Sequence, residues 1–246
     1  MISWDSFDAV LFDLDGVLTP TALIHERAWA TMFDELFASL SPPQAPFRNE
    51  EYLVHVDGKP RYDGVRSVLR AREIVRPQGD PSEAPGLDTV CALGNRKNAL
   101  FATVLRRDGI APYPGSVAVL DHLATLDIPA AVVSSSRNAP EVLAAAGLAE
   151  RLPSVVDGNV AARRRLAGKP APDMFLAAAA ELGVDPSRTA VVEDAVSGVA
   201  AARAGGFGLV IGVDRGAGAQ ALREHGADIV VGDLAETLEQ EPAGDR

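Results

Sequence analysis

"AVLFDLDGVLT", Ala9 to Thr19, is the stretch on which the reading of this chain turns. Four apolar residues in a row fit a strand buried on both faces. The run then meets Asp13 and Asp15, two residues apart, and Gly16. Residues i and i+2 of a strand share one side. Both carboxylates would therefore face one pocket at the strand's carboxyl end, with Gly16 permitting a sharp exit. Burying one unpaired carboxylate is costly, and burying two together more so. The pair could hold Mg²⁺, or one could attack phosphorus while the other moves protons. Plain capping of the next loop, a usual job for Asp, is the third reading.

Outward from this stretch, similar β-rich runs recur at Ala130–Val133, Ser154–Val156, Thr189–Val192, Gly208–Val213 and Asp228–Val231. Helical stretches lie between most of them, at Val117–Leu126, Pro140–Ala146, Asp173–Leu182, Gly198–Ala204 and Ala219–His225. Strands without clean alternation, interleaved with helices, predict an α/β fold, a parallel sheet covered on both faces. Gly147, Gly183 and Gly205 stand where three helices should stop.

The segment after the first strand has no strand character. A helix is predicted over Ala22–Leu40, broken by "SPPQAP" (Ser41–Pro46), with further helices at Asp63–Arg72 and Asn95–Arg107. Longer loops are expected at Ser41–Phe47 and Pro77–Leu93. The economical division is a core of 1–19 and 108–246 and a helical insert of 20–107.

Three more stretches resemble the first in chemistry. "AAVVSSSRN" (Ala130–Asn138) is a strand running into hydroxyls, with Ser134 and Ser135 where free backbone N–H groups can bind an anion. "GKPAPDMF" (Gly168–Phe175) sets Lys169 just before two prolines. "VVEDAVSG" (Val191–Gly198) ends a strand on Glu193 and Asp194. Any one serine could be a helix cap, and any one lysine a surface lysine. Four carboxylates at strand ends, one lysine and a hydroxyl cluster together make a kit for Mg²⁺ and phosphate.

In this order the four stretches resemble the haloacid dehalogenase-like superfamily. The resemblance implies a Rossmann-like core with an inserted helical cap. It also implies roles: Asp13 as the nucleophile that becomes an aspartyl-phosphate, Asp15 as general acid/base, and Ser134 and Lys169 on the transferring phosphoryl group. Asp13, Asp15, Glu193 and Asp194 would form the Mg²⁺ site. The insert resembles the cap of the branch with β-phosphoglucomutases. There Thr21 matches a hinge threonine, His25 a histidine engaging the acid/base, Arg61 in "DGKPRYDGV" an arginine on the distal phosphate, and Lys97 a cap lysine near that histidine. Arg137 and Asn138 match a Lys-Asn pair that helps with the second phosphate. Arginine for lysine keeps charge but not geometry. The implied reaction is conversion of β-D-glucose 1-phosphate to glucose 6-phosphate. A sugar-phosphate phosphatase is the alternative, and a silent binding module the remote one.

The bulk properties agree. The net charge of −11 over 246 residues argues against nucleic acid or an anionic membrane as partner, while leaving room for a phosphorylated small molecule. A single cysteine, Cys91, excludes an intramolecular disulfide and a Cys-rich metal site; its expected role is a small buried hydrophobe. No basic, then apolar, leader stretch is seen, so a soluble cytoplasmic protein is expected; a monomer is expected as well.

Overall fold

The computed structural model describes residues 2–56, 59 and 61–238; Met1, Asp57, Gly58, Pro60 and 239–246 lie outside the described residues. That leaves part of the "DGKPRYDGV" stretch and the last residues assigned to the core without a structural account. After a short 3-10 turn at Trp4–Ser6, β1 (Ala9–Phe12) is followed by α1 (Thr21–Ser39), α2 (Asn49–His55), α3 (Arg61–Ala71) and α4 (Val90–Asp108). Then come α5 (Pro114–Thr125), β2 (Ala130–Val133), α6 (Ala139–Ala145), β3 (Ser154–Val156), α7 (Gly158–Arg164) and α8 (Asp173–Leu182). The chain continues through β4 (Thr189–Glu193), α9 (Val196–Ala204), β5 (Leu209–Val213), α10 (Ala219–Glu224) and β6 (Ile229–Val231). It divides into two compact units, Met1–Pro20 with Ile110–Arg246, and Thr21–Gly109.

In the first unit the strands form one parallel sheet in the order β3-β2-β1-β4-β5-β6. The chain builds outward from β1 to β3 on one side, then returns to lay β4 against the other side of β1. The strand order therefore reverses between β1 and β4, and open α/β sheets bind ligands at the carboxyl ends of such a switch point. Leu11, Val133, Val191 and Val210 fill the sheet's interior with Met174, Phe175, Val199 and Phe207. Every residue of β1 and β4 is buried, which explains their unbroken apolar runs.

Gly147 (φ +69) and Gly183 (φ +70) do end their helices in the left-handed region. At the third expected stop the left-handed residue is Gly206 (φ +71); Gly205 keeps φ −78 and lies so near Phe207 that a Cβ would meet the ring at 2.7 Å.

The second unit has its own core of Trp29, Met32, Phe33, Phe37, Phe47, Val65, Val68 and Leu93. Phe33 stacks on Trp29, Phe37 and Phe47, with ring centroids 4.9–5.7 Å apart. Arg72 pins α2 to α3: its Nε and Nη2 each donate to a Glu51 oxygen at 2.6 Å, and its guanidinium lies 4.5 Å over Phe37. Helix α4 starts five residues before the expected Asn95, because Thr89 Oγ1 accepts from Ala92 N–H and caps it. The long loop thus ends before Val90 rather than at Leu93. Cys91 is buried, as expected of a small hydrophobe. Helices α2 and α7, seven residues each, are too short to show a period in sequence. Among the described residues no helix is long and apolar enough to cross a membrane.

Candidate active site

The carboxyl ends of β1, β2 and β4 meet around Lys169. Its ammonium has three protons to give. One goes to Asp13 Oδ1 at 2.5 Å, one to Glu193 Oε1 at 2.6 Å and one to Val133 O at 3.0 Å. The nitrogen also lies 4.9 Å over the ring of Phe175, the second residue after the "KPAP" turn to enter the core. Burial works against the Lys169 charge, but Asp13 and Glu193 outweigh it and hold the pKa above the usual lysine value. The loop from α7 to α8 thus delivers one permanent cation to two strand ends.

That cation does not balance the acids around it. Burial pushes the Asp13 carboxyl up to about 8, with Lys169 opposing and Glu193 and Asp15 adding to the rise. Asp194 is pushed up to about 9 by burial and by the charges of Glu193 and Asp13. Gly16, left-handed at φ +88, brings its backbone so close to Asp194 that a Cβ would sit 1.9 Å from Oδ2. Glu193, besides holding Lys169, accepts from Ala195 N–H at 2.7 Å.

Ser134 is fully buried at the end of β2. Its Oγ donates to Asp15 Oδ2 at 3.4 Å and accepts from Ser136 N–H at 3.1 Å. Ser135, Arg137 and Asn138 occupy the turn that follows. That turn is pinned by a neighbour the sequence reading passed over: Gly158 N–H donates to Ser136 O at 3.1 Å, and Asn159 Nδ2 to Arg137 O at 2.9 Å. A Cβ at Gly158 would meet Ser135 O at 2.7 Å. Asp157, buried and capping α7, fixes Asn159 in turn. The signal available in sequence was the tripeptide Asp157-Gly158-Asn159 directly after a strand.

In the second unit Thr21 is buried at the first position of α1, and His25 lies one turn on. Lys97 Nζ donates to His25 Nδ1 at 2.5 Å, and the imidazole stacks on Phe101 at 4.2 Å. Burial, and then the Lys97 and Arg61 charges, hold the His25 pKa well below its ordinary value. The ring is therefore neutral, with Nδ1 accepting and the proton on Nε2. Lys97 itself is buried between the faces of Trp29 and Phe101. Arg61 opens α3 and donates from Nη2 to Asn98 Oδ1 at 3.0 Å. Gly94 leaves room for it, since a Cβ there would meet Tyr62 at 2.7 Å and Arg61 Cδ at 3.1 Å. Asn98 and Gly94 were not singled out in sequence; nothing in their local pattern marks them.

The acids fit a magnesium ion. Among the described residues no three His, Cys, Asp or Glu side chains form a ready-made cage. Mg²⁺ does not need one, because it keeps several waters and takes one or two carboxylates plus a substrate phosphate. Burial raises the pKa values of Asp13 and Asp194 more than Lys169 lowers them, and a cation held there would favour their ionised forms.

A family model described as haloacid dehalogenase-like hydrolase matches residues 7–206. The β-phosphoglucomutase of Mycobacterium tuberculosis is 49% identical over 238 residues, covering 94% of this chain and 91% of that one. Hexitol phosphatase A of Escherichia coli is 34% identical over 236 residues, covering 96% and 95%. Among solved structures, a CbbY variant from Rhodobacter sphaeroides in complex with xylulose-(1,5)bisphosphate superposes with a TM-score of 0.71 at 25% identity, covering 94% of this chain and 96% of that one.

Proposed function

Because the chain belongs to the haloacid dehalogenase-like hydrolase family, we propose that it is a Mg²⁺-dependent phosphotransferase that converts β-D-glucose 1-phosphate to glucose 6-phosphate. The observation that carries this reading is the 49% identity to a β-phosphoglucomutase across nearly the whole chain. Asp13 is the nucleophile: its carboxylate oxygen forms a bond to phosphorus as the bond from phosphorus to the sugar oxygen breaks. Asp15 gives the leaving oxygen its proton, then takes one from the incoming hydroxyl in the reverse step. Ser134 and Lys169 bind the transferring group. The Lys169 bond to Asp13, 2.5 Å, supports a lysine that orients the nucleophile as well. Glu193 keeps Lys169 in place through its 2.6 Å bond.

Mg²⁺, when bound, supplies charge neutralisation for the phosphoryl oxygens. Asp13, Asp15 and Asp194 would hold it, with Glu193 contributing through its neighbours. In the helical unit Arg61 takes the non-reacting phosphate. Neutral His25, oriented by Lys97, offers a hydrogen bond to the acid/base. Thr21 serves the hinge at the unit's edge. Arg137 and Asn138 are the core's contribution to the second phosphate. The chain works as a monomer, on a small sugar phosphate, in the cytoplasm.

A second reading, a sugar-phosphate phosphatase with water as acceptor, draws support from the 34% identity to hexitol phosphatase A. The two differ in how well water is kept from Asp13-phosphate. The test supplies β-glucose 1-phosphate, Mg²⁺ and a trace of the 1,6-bisphosphate, and compares glucose 6-phosphate with inorganic phosphate. Glucose 6-phosphate is expected to dominate. Arg61→Ala should lower the ratio, because binding energy from the remote phosphate drives the reacting centre. Mainly free phosphate from the wild type, or an unchanged ratio in the variant, gives the reaction to the phosphatase reading.

A further inference from the structure

The loop after Asp15 is held carbonyl by carbonyl from distant parts of the sheet unit. Gly16 O accepts from Arg215 Nε at 3.0 Å, Val17 O from Ser116 Oγ at 2.6 Å, and Leu18 O from Tyr113 N–H at 2.9 Å. Thr19 O accepts from Gly16 N–H at 2.8 Å and closes the loop. Arg215 lies just beyond β5, at the same end of the sheet as the carboxylates. Its guanidinium stacks 3.8 Å over the ring of Tyr113, and Nη1 donates to Gly232 O at 3.1 Å. Its Nη2 is buried with no acceptor among the described residues. A buried donor left without its hydrogen bond is a cost to the fold. Such a cost is tolerated where the rest of the side chain has a task.

That task is visible in what the other two nitrogens hold. Gly16 abuts Asp194 at a distance that admits no Cβ, and it follows Asp15 by one peptide bond. Its position therefore sets both the room left to Asp194 and the setting of Asp15. We propose that Arg215, stacked on Tyr113, is a positioning residue for phosphoryl transfer, locking Gly16 and so keeping Asp15 and Asp194 in register at the ends of β1 and β4. The inference rests on the reading of these acids given under Proposed function. A planar fork is needed for it, since Nε and Nη1 must reach two carbonyls while the plane lies on a ring; a lysine cannot do all three.

The experiment compares Arg215→Ala, Arg215→Lys and Arg203→Ala. Arg203 ties another backbone carbonyl, Gly226 O, with Nε at 3.0 Å and Nη2 at 2.6 Å, at the amino end of the sheet. It therefore reports the general cost of losing an arginine cross-link. The readouts are kcat, KM for β-glucose 1-phosphate, Tm, and Mg²⁺ affinity by calorimetry without substrate. Arg215→Ala is expected to lose about 10–100-fold in kcat and about tenfold in Mg²⁺ affinity, the usual scale for a group that supports metal ligands. KM should stay within about threefold, the split expected when binding of substrate is not what was removed. Added guanidinium should restore part of the kcat of Arg215→Ala, and Arg215→Lys should resemble Arg215→Ala. Arg203→Ala should lower Tm and leave kcat near wild type. If Arg215→Ala fails to fold, Arg215→Lys carries the same readouts. The proposal is overturned if Mg²⁺ affinity and kcat survive in the Arg215 variants, or if Arg203→Ala loses as much of both. A wild type that moves no phosphoryl group to sugar or water defeats the proposed function instead, while the calorimetric comparison still decides for or against Arg215.

Discussion

Asp13 and Gly16 show how narrow the tolerances of this site are. Asp13→Asn should leave the fold intact and abolish phosphoryl transfer, because an amide is neither the nucleophile nor a good ligand for a hard cation. The check is turnover with Mg²⁺ present, and substantial turnover sinks the aspartyl-phosphate mechanism. Asp15→Asn should cost about 10²–10⁴-fold in kcat, the range for a lost general acid/base, while a fluoride-based phosphoryl mimic still binds. Gly16→Ala meets two obstacles at once, a φ of +88 and an Asp194 oxygen 1.9 Å from the new Cβ. The backbone strain alone is about 1–2 kcal/mol, and the displacement of Asp194 adds a loss of Mg²⁺ affinity that calorimetry would register. Gly147→Ala, also left-handed (φ +69) but open to space, should show the strain without the metal effect. The acids and Lys169 were legible because each ends an apolar run or precedes a proline turn. Arg215, Asn159 and Asn98 were not, since what they hold is backbone or side chain far away in sequence.

At the scale of elements, the strands were read nearly to the residue. A strand buried on both faces is apolar along its middle, as Ala190, Val191 and Val192 are between Thr189 and Glu193, and little else in the chain is. Helix ends were less legible because they depend on single caps such as Thr89, and seven-residue helices such as α2 span just under two turns. Helix α2 is tied to the end of α3 by an ion pair, Glu51 with Arg72. The bidentate bond from Arg72 comes first among the causes that hold the Glu51 pKa below its usual value. A carboxyl depressed in the folded state gives stability that is complete above its unfolded pKa and lost as pH falls through the folded one. Arg72→Ala should therefore cost about 1–3 kcal/mol near neutral pH, leaving Glu51 with Arg48 alone. The penalty should shrink as pH falls through the lowered folded value, where Glu51 protonates and the pair is lost in the wild type too. Denaturant melts of wild type and Arg72→Ala at pH 7 and pH 3.5 measure it. An equal penalty at both pH values would mean that Arg72 acts only through its stack on Phe37 and its bonds to Ala45 and Pro46 carbonyls.

Across the whole molecule the balance of charge is acidic, −11 by composition, and the sheet unit concentrates part of it where water is scarce. Asp13 and Asp194 rise to about 8 and about 9, from 3.8 in an unfolded chain. Without Mg²⁺, then, the folded state holds protons that the unfolded state has given up between pH 4 and about 9. Stability changes with pH in proportion to protons bound unfolded minus protons bound folded. That difference is negative here, so metal-free stability falls as pH rises through this window. Lys169 does not disturb the sign: its raised pKa gives stability that is complete below the unfolded lysine value and is lost only at higher pH. His25 titrates in the opposite sense, and only below pH 7, since it is neutral when folded and protonates when unfolded. Between pH 7 and 8.5 the acids decide the slope, at up to about 1.4 kcal/mol per pH unit for each group fully shifted. Mg²⁺ favours the ionised carboxyls, so its binding should release protons, and its stabilisation should be larger at pH 8.5 than at pH 7. The measurement is Tm with EDTA and with Mg²⁺ at both pH values, for wild type and Asp194→Asn. In EDTA the wild type should lose stability over this interval. Asp194→Asn should flatten the loss, raise the metal-free Tm at pH 8.5 and reduce the gain from Mg²⁺. A metal-free Tm that holds level or climbs from pH 7 to 8.5 would mean that Lys169 alone balances these carboxyls, and that the site has no need of a second cation.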